Sequence, residues 1–94
     1  MPRLYDVFDV PNIKSVRATT KIHKSIDIGE VLSRVPKVKS ITTSNKNVVR
    51  FEVKRGGYLL LFPTGYIEIH AADEGGVREV LVAFRDELSK SGLI

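Results

Sequence analysis

The stretch LLLFPTGYIEIHAADE, from Leu59 to Glu74, contains the end of one strand, a turn, a second strand and the start of a helix. Pro63-Thr64-Gly65 is typical of a turn, because proline presets the backbone and glycine accepts a positive φ. Tyr66 to Ala71 alternates polar and apolar side chains, which is the period of a strand with one buried face. The segment therefore predicts a hairpin that leads directly into a helix starting near Asp73.

Further strands are predicted wherever the same period of two recurs. Polar and apolar residues alternate from Ser15 to Ile22, and two more candidates are Val38 to Thr43 and Val48 to Lys54. Arg55-Gly56-Gly57 predicts a hairpin turn between the last of these and the strand Tyr58 to Phe62. The hydrophobic alternation of this middle strand predicts that Val49, Phe51 and Val53 face the core.

Two helices are predicted from capping residues and helical spacing. Asp27 with Glu30 forms a capping box before a short apolar stripe that ends at Pro36. The second stripe consists of Val77, Val80, Leu81, Phe84 and Leu88, with Gly92 as a stop signal. The order strand, helix, four strands, helix predicts an α+β domain, with five antiparallel strands in one sheet and both helices on one of its faces.

The length of 94 residues supports one domain, which we place at residues 12–94 after an N-terminal arm at residues 1–11. Tyr5 and Phe8 are the side chains by which the arm would dock. The net charge of +4 favours acidic partners such as nucleic acid. The absence of glutamine and the single methionine are weak indications of a thermophile.

Several classes of function lack their usual residues in this sequence. No cysteine is present, so disulfides, thiol catalysis and cysteine zinc sites are excluded. Neither His23 nor His70 has carboxylates at metal-ligand or triad spacing, and no glycine-rich phosphate loop occurs. Asp86 and Glu87 are interpreted as a solvated helix face. We therefore expect no enzyme activity, cofactor or metal, and a cytoplasmic protein without membrane partners, since no signal sequence or long apolar run occurs.

With this order of elements, the chain resembles one repeat of the TATA-box-binding protein family. The resemblance lies in IKSVRATTKI (Ile13 to Ile22), SIDIGEVLSRVP (Ser25 to Pro36) and LLLFPTGYIEIHAAD (Leu59 to Asp73), and it extends over Pro11 to Leu88. It implies a curved sheet whose open face binds the minor groove of duplex DNA, in an archaeal transcription factor. The family fuses two repeats, so a single repeat implies a homodimer; a monomer or a different partner chain are the alternatives.

The resemblance also implies a set of nucleic-acid-binding residues on the open face. Phe62 corresponds to a phenylalanine that wedges between base steps in the family, although Phe62 and Leu60 could instead seal a contact with another chain. The full set is Ser15, Arg17, Thr19, Lys21, Leu60, Phe62, Tyr66 and His70.

The chain departs from the family pattern at several of these positions. Asn45 occupies the place of the second wedge, and Ser15 and Arg17 replace an asparagine and a valine that line the groove. Glu68 does not suit a minor groove, and it could pair with Arg17 across the sheet. The sequence therefore leaves two functions open, a DNA-binding module and a non-catalytic module that binds another protein.

Overall fold

The computed structural model describes residues 4–14, 17–23, 27–43, 46–53 and 57–94. Within these ranges six strands form one antiparallel sheet in the order β1-β2-β6-β5-β4-β3, and the two longer helices pack on one face of it. The elements are α1 (Leu4–Val7), β1 (Asn12–Lys14), β2 (Arg17–Lys21), α2 (Ile28–Arg34), β3 (Val38–Thr43), β4 (Lys46–Glu52), β5 (Tyr58–Leu61), β6 (Tyr66–His70) and α3 (Glu74–Lys90). The predicted α+β class is confirmed.

The number of predicted strands was wrong by one. The additional strand is β1, which pairs antiparallel with β2 through partners such as Ile13 and Ala18. A strand of three residues is too short to show a period of two, so alternation could not reveal it. Ser15 and Val16, which the sequence placed at the start of β2, lie outside the described residues.

The hairpin between β5 and β6 has the predicted turn. Gly65 has a φ of 90°, and its N–H donates to the carbonyl of Phe62 at 2.9 Å. The N–H of Phe62 donates in turn to the carbonyl of Tyr66 at 2.9 Å. This backbone conformation favours glycine, because L side chains rarely adopt a positive φ. In the preceding hairpin Arg55 and Gly56 lie outside the described residues, and the N–H of Val53 donates to the carbonyl of Gly57 at 2.9 Å.

Both longer helices begin at the predicted capping residues. The carboxylate of Asp27 accepts from the N–H of Gly29 at 2.9 Å, and that of Asp73 accepts from the N–H of Gly76 at 2.7 Å. These bonds satisfy amides that have no partner within the helix. At the other end of α3, Gly92 has a φ of 74° and the predicted stop is confirmed.

The core lies between the sheet and the helices. Val49 and Phe51 of β4 are buried and Val53 packs against the core, so the prediction that these three residues face the core is confirmed, although Val48, on the opposite face, is also buried. The ring of Phe84 lies 5.2 Å from that of Phe51 and 6.2 Å from that of Phe8. The whole predicted α3 stripe is fully buried: Val77, Val80, Leu81, Phe84 and Leu88.

The N-terminal segment contributes to the same core. Leu4, Val7 and Phe8 are buried, whereas Tyr5 remains 43% exposed. The hydroxyl of Thr20 donates to the carbonyl of Asp9 at 2.6 Å, which ties the segment to β2. Residues 4–9 therefore lie on the helical side of the sheet.

The interpretation of Glu87 as solvated was wrong. Its residue exposure is 9%, and its Oε1 atom lies 3.4 Å from Nζ of Lys37. Neighbouring residues on a helix point about 100° apart, so Glu87 faces the segment after α2 while Asp86 is half-buried and pairs with Arg85 at 3.0 Å.

Candidate functional site

The sheet face opposite the helices is the candidate site, and we call it the open face. Its side chains form rows across the strands, because Arg17 pairs with His70 and His70 pairs with Tyr58 in the strand register. A second row runs from Asn12 through Thr19, Glu68, Leu60 and Arg50 to Lys39. A third row contains the pair Lys21 and Tyr66, then Phe62, whose N–H donates to the carbonyl of Tyr66, and the pair Val48 and Ile41, of which Val48 is buried. No helix within the described ranges packs on this face.

The structure brings the predicted site residues together on the open face. Ser15 is the exception, since it lies outside the described residues. The other seven are Arg17, Thr19, Lys21, Leu60, Phe62, Tyr66 and His70.

An ion-pair network occupies the centre of the open face. Nη2 and Nε of Arg17 lie 2.7 and 2.9 Å from Oε1 of Glu68, and Nε2 of His70 lies 2.8 Å from the same atom. The predicted cross-strand pairing of Arg17 with Glu68 is therefore present. Among the described residues, the other carboxylate oxygen, Oε2, has no hydrogen-bond partner.

The network fixes the charge of Glu68. Burial is the largest effect and would raise the pKa of this carboxyl group. The hydrogen bonds from Arg17 and His70 and their charges together outweigh it, so the pKa of Glu68 lies below its ordinary value. The hydrogen bond to Glu68 also raises the pKa of Arg17. At neutral pH the open face therefore carries a charged carboxylate beside a charged guanidinium.

Stacked side chains continue the network towards β4. The rings of His70 and Tyr58 are nearly parallel, at 11°, with centroids 4.8 Å apart. The guanidinium of Arg50 lies 4.2 Å from the centre of the Tyr58 ring, and Nε of Arg50 lies 2.6 Å from Oε1 of Glu52 without hydrogen-bond geometry. Tyr58 and Arg50 were not among the predicted site residues, although Tyr58, like Leu60 and Phe62, stands at an alternate position of the same strand and hairpin.

Tyr66 lines two depressions. One has a volume of about 330 Å³ and is lined by Phe62, Pro63, Thr64 and Tyr66; we call it the aromatic cleft. The Phe62 and Tyr66 rings meet there at 55°, with centroids 5.5 Å apart. The other, which we call the polar depression, has a volume of about 280 Å³ and is lined by Asn12, Arg17, Thr19 and Tyr66. An aromatic and a more polar depression therefore share one side chain.

Metal ligation has no support within the described ranges. No three His, Asp or Glu side chains are grouped there in a way that could hold a metal ion. His23 contacts Asp9, and His70 contacts Glu68. Each of these two contacts joins one imidazole to one carboxylate, which is fewer side chains than the three that a metal site needs. Of the helices in the part of the chain that the structure describes, none combines the length and the apolar character that crossing a membrane requires.

Comparisons with protein-family models, curated proteins and solved structures found no match to this chain. The resemblance to a TATA-box-binding repeat therefore stays a prediction, carried by the three sequence blocks quoted above. The six-stranded antiparallel sheet with helices on one face is compatible with it at the level of the α+β class.

Proposed function

We propose that the open face binds nucleic acid. The observation that carries this proposal is the set of four rings on the adjacent strands β5 and β6 and their hairpin: Tyr58, Phe62, Tyr66 and His70. Aromatic rings on an uncovered sheet can stack on bases, and flanking cations can contact phosphates. Arg17 and Lys21 lie on one side of these rings and Arg50 lies on the other.

The charge of the open face supports the same proposal. Its described side chains include four cations, Arg17, Lys21, Lys39 and Arg50, against the two carboxylates of Glu52 and Glu68. Each carboxylate lies within ion-pair distance of an arginine. A polyanion would therefore meet an excess of positive charge, in keeping with the chain's net charge of +4.

The resemblance to the TATA-box-binding repeat adds a biological setting to the proposal. It points to the same face of the sheet, to duplex DNA as the partner and to a role in archaeal transcription. These finer assignments rest on the sequence blocks alone.

A salt-dependent titration tests the proposal. Fluorescence anisotropy with labelled DNA should give a log Kd that rises linearly with log salt, by about 0.7 to 0.9 for each phosphate contact. Lys21→Gln should reduce this slope by about one contact. The matched control Lys90→Gln removes an exposed charge from the last turn of α3 and should leave the slope unchanged. Absence of binding at low salt, or equal effects of the two variants, would contradict the proposal.

The homodimer is also part of the proposal. Within the described residues the sheet has two edges, β1 and β3, and β3 is the longer, with six residues. An uncovered edge can pair with a second copy, which would continue the open face across the new interface. Sedimentation equilibrium should give twice the mass of one chain, and a monomer at every concentration would exclude this arrangement.

A protein-docking role is the second candidate, and a different surface favours it. Val10 is 71% exposed and Tyr5 is 43% exposed, and both line a cleft of about 260 Å³ against α3. Exposed apolar side chains beside a cleft are typical of protein contacts. A partner complex that survives high salt and is lost in Val10→Asp, but not in Lys21→Gln, would favour this role.

A further inference from the structure

We infer that the nucleic acid bound on the open face is a single strand, with one unpaired base in the aromatic cleft; this inference rests on the proposed function. The first argument is the width of the face. Six strands span about 24 Å between the outer strands, so several nucleotides of an extended single strand can lie across the open face and reach the rings of both β5 and β6.

The position of Phe62 supports a single strand. A wedge side chain must protrude in order to enter a base step, but Phe62 is only partly exposed and its ring contacts that of Tyr66. Together with Pro63 and Thr64 these rings line the aromatic cleft of about 330 Å³. The cleft lies within the size range of small-ligand pockets. It is therefore suited to receive a flat base that has left its stack.

The central carboxylate argues against an A·T-rich minor groove. That groove presents hydrogen-bond acceptors on its base edges, and an ionised carboxylate can only accept. Oε2 of Glu68 has no partner among the described residues and would face those acceptors. Unpaired adenine, cytosine and guanine instead expose amino groups that can donate to it. Glu68 therefore suits a strand whose base edges are free.

The polar depression provides a place for the backbone of this strand. It is lined by Arg17, Asn12 and Thr19, whose side chains carry a guanidinium, an amide and a hydroxyl group that can donate to a phosphate. The aromatic cleft and the polar depression share Tyr66. A base in the cleft would therefore place a neighbouring phosphate near the depression, as in sheets that bind single strands by stacking and charge.

The test compares strands of identical sequence. A labelled oligonucleotide of about 16 nucleotides, containing all four bases, is titrated as a single strand and as a duplex at the same low salt. We expect the single strand to bind at least about tenfold more tightly. A strand carrying the fluorescent base 2-aminopurine should also show quenching on binding, because stacking on an aromatic ring changes its emission.

Three variants locate the stacking position. Phe62→Leu should weaken single-strand binding by about 5- to 150-fold, which is the range for loss of one stacked base. Phe62→Tyr keeps the ring and should retain both affinity and quenching. The matched control Tyr5→Leu removes a partly exposed ring on the helical side and should change neither. Thermal denaturation of Phe62→Leu and Phe62→Tyr separates loss of stacking from loss of folding.

The outcomes distinguish the two proposals. Tighter binding of the duplex, or unchanged single-strand affinity and quenching in a folded Phe62→Leu variant, would overturn the single-strand inference and leave the proposed function in place. Absence of binding to both forms would overturn the proposed function as well.

Discussion

Glu68→Gln is the substitution for which the structure gives the most distinctive expectation. Glu68 lies at the centre of the open face, and its Oε1 atom is bound by both Arg17 and His70. Glutamine has nearly the same shape and keeps a carbonyl oxygen that can accept from base amino groups, but it lacks the charge that holds the guanidinium of Arg17. We therefore expect the variant to bind nucleic acid more tightly than the natural protein, not more weakly.

The size of the gain follows from the charges. A unit charge about 4 Å from a phosphate contributes about 1 kcal/mol in water, so removing the repulsion should tighten binding about fivefold at low salt. Glu68 compensates the charge of Arg17 in the natural protein, so its replacement leaves one more uncompensated cation beside the phosphates, which should steepen the log–log salt dependence by about 0.7 for a single strand. The side chain of Arg17 is 61% exposed, so solvent screens the ion pair and its loss should change folding stability little.

Fluorescence anisotropy at several salt concentrations measures both quantities. Glu30→Gln is the matched control, because it removes the same charge from an exposed position on α2, on the helical side of the sheet. It should leave the salt slope unchanged. If Glu68→Gln weakens binding while remaining folded, or if it behaves like Glu30→Gln, the carboxylate does not restrain Arg17 at the binding surface.

Three further predictions concern folding. Gly57→Ala should destabilise the domain by about 1–3 kcal/mol, because a Cβ atom there would lie 2.8 Å from Cγ2 of Val80; an unchanged melting temperature would show that α3 can shift. Asp73→Ala should cost about 1 kcal/mol through loss of the α3 cap, a decrease of about 4–8 °C in Tm by calorimetry. Folding lowers the pKa of Glu68. Its contribution to the free energy of unfolding is therefore fully present above the pKa of the unfolded chain, and it is lost as the pH falls through the pKa of the folded protein. The free energy of unfolding of the natural protein, measured by urea denaturation, should therefore exceed that of Glu68→Gln by less below about pH 4.3 than at neutral pH. The same difference in the free energy of unfolding at both pH values would contradict the ion pair with Arg17.

The elements with strong local signals were predictable from the sequence. The β5–β6 hairpin has proline and glycine where the turn needs them, and α3 has a cap, a five-residue apolar stripe and a glycine stop. β1 was not predictable, because three residues cannot display a period. Leu4 and Val7 were missed for a related reason: α1 has four residues, and its burial depends on contact with α3.

The candidate site could be predicted only in part. Side chains alternate between the two faces of a sheet, so the positions of Leu60 and Phe62 along the chain were enough to place both on the open face. The contacts across strands depend on register, which the pattern of a single strand does not determine. Arg17 reaches Glu68 diagonally because its direct partner on β6 is His70, and the stack with Tyr58 depends on the alignment of β5 with β6.

The central claim is that the open face binds nucleic acid, and NMR chemical-shift mapping tests it most directly. Amide resonances are assigned in the ¹⁵N-labelled protein, and a single-stranded oligonucleotide is then added at low salt. We predict that shift changes concentrate in β2, β5 and β6 and in the hairpin at Phe62 to Tyr66, and that amides of α2 and the solvent side of α3 change little. Unchanged spectra, or changes confined to the helical side near Tyr5 and Val10, would contradict the claim.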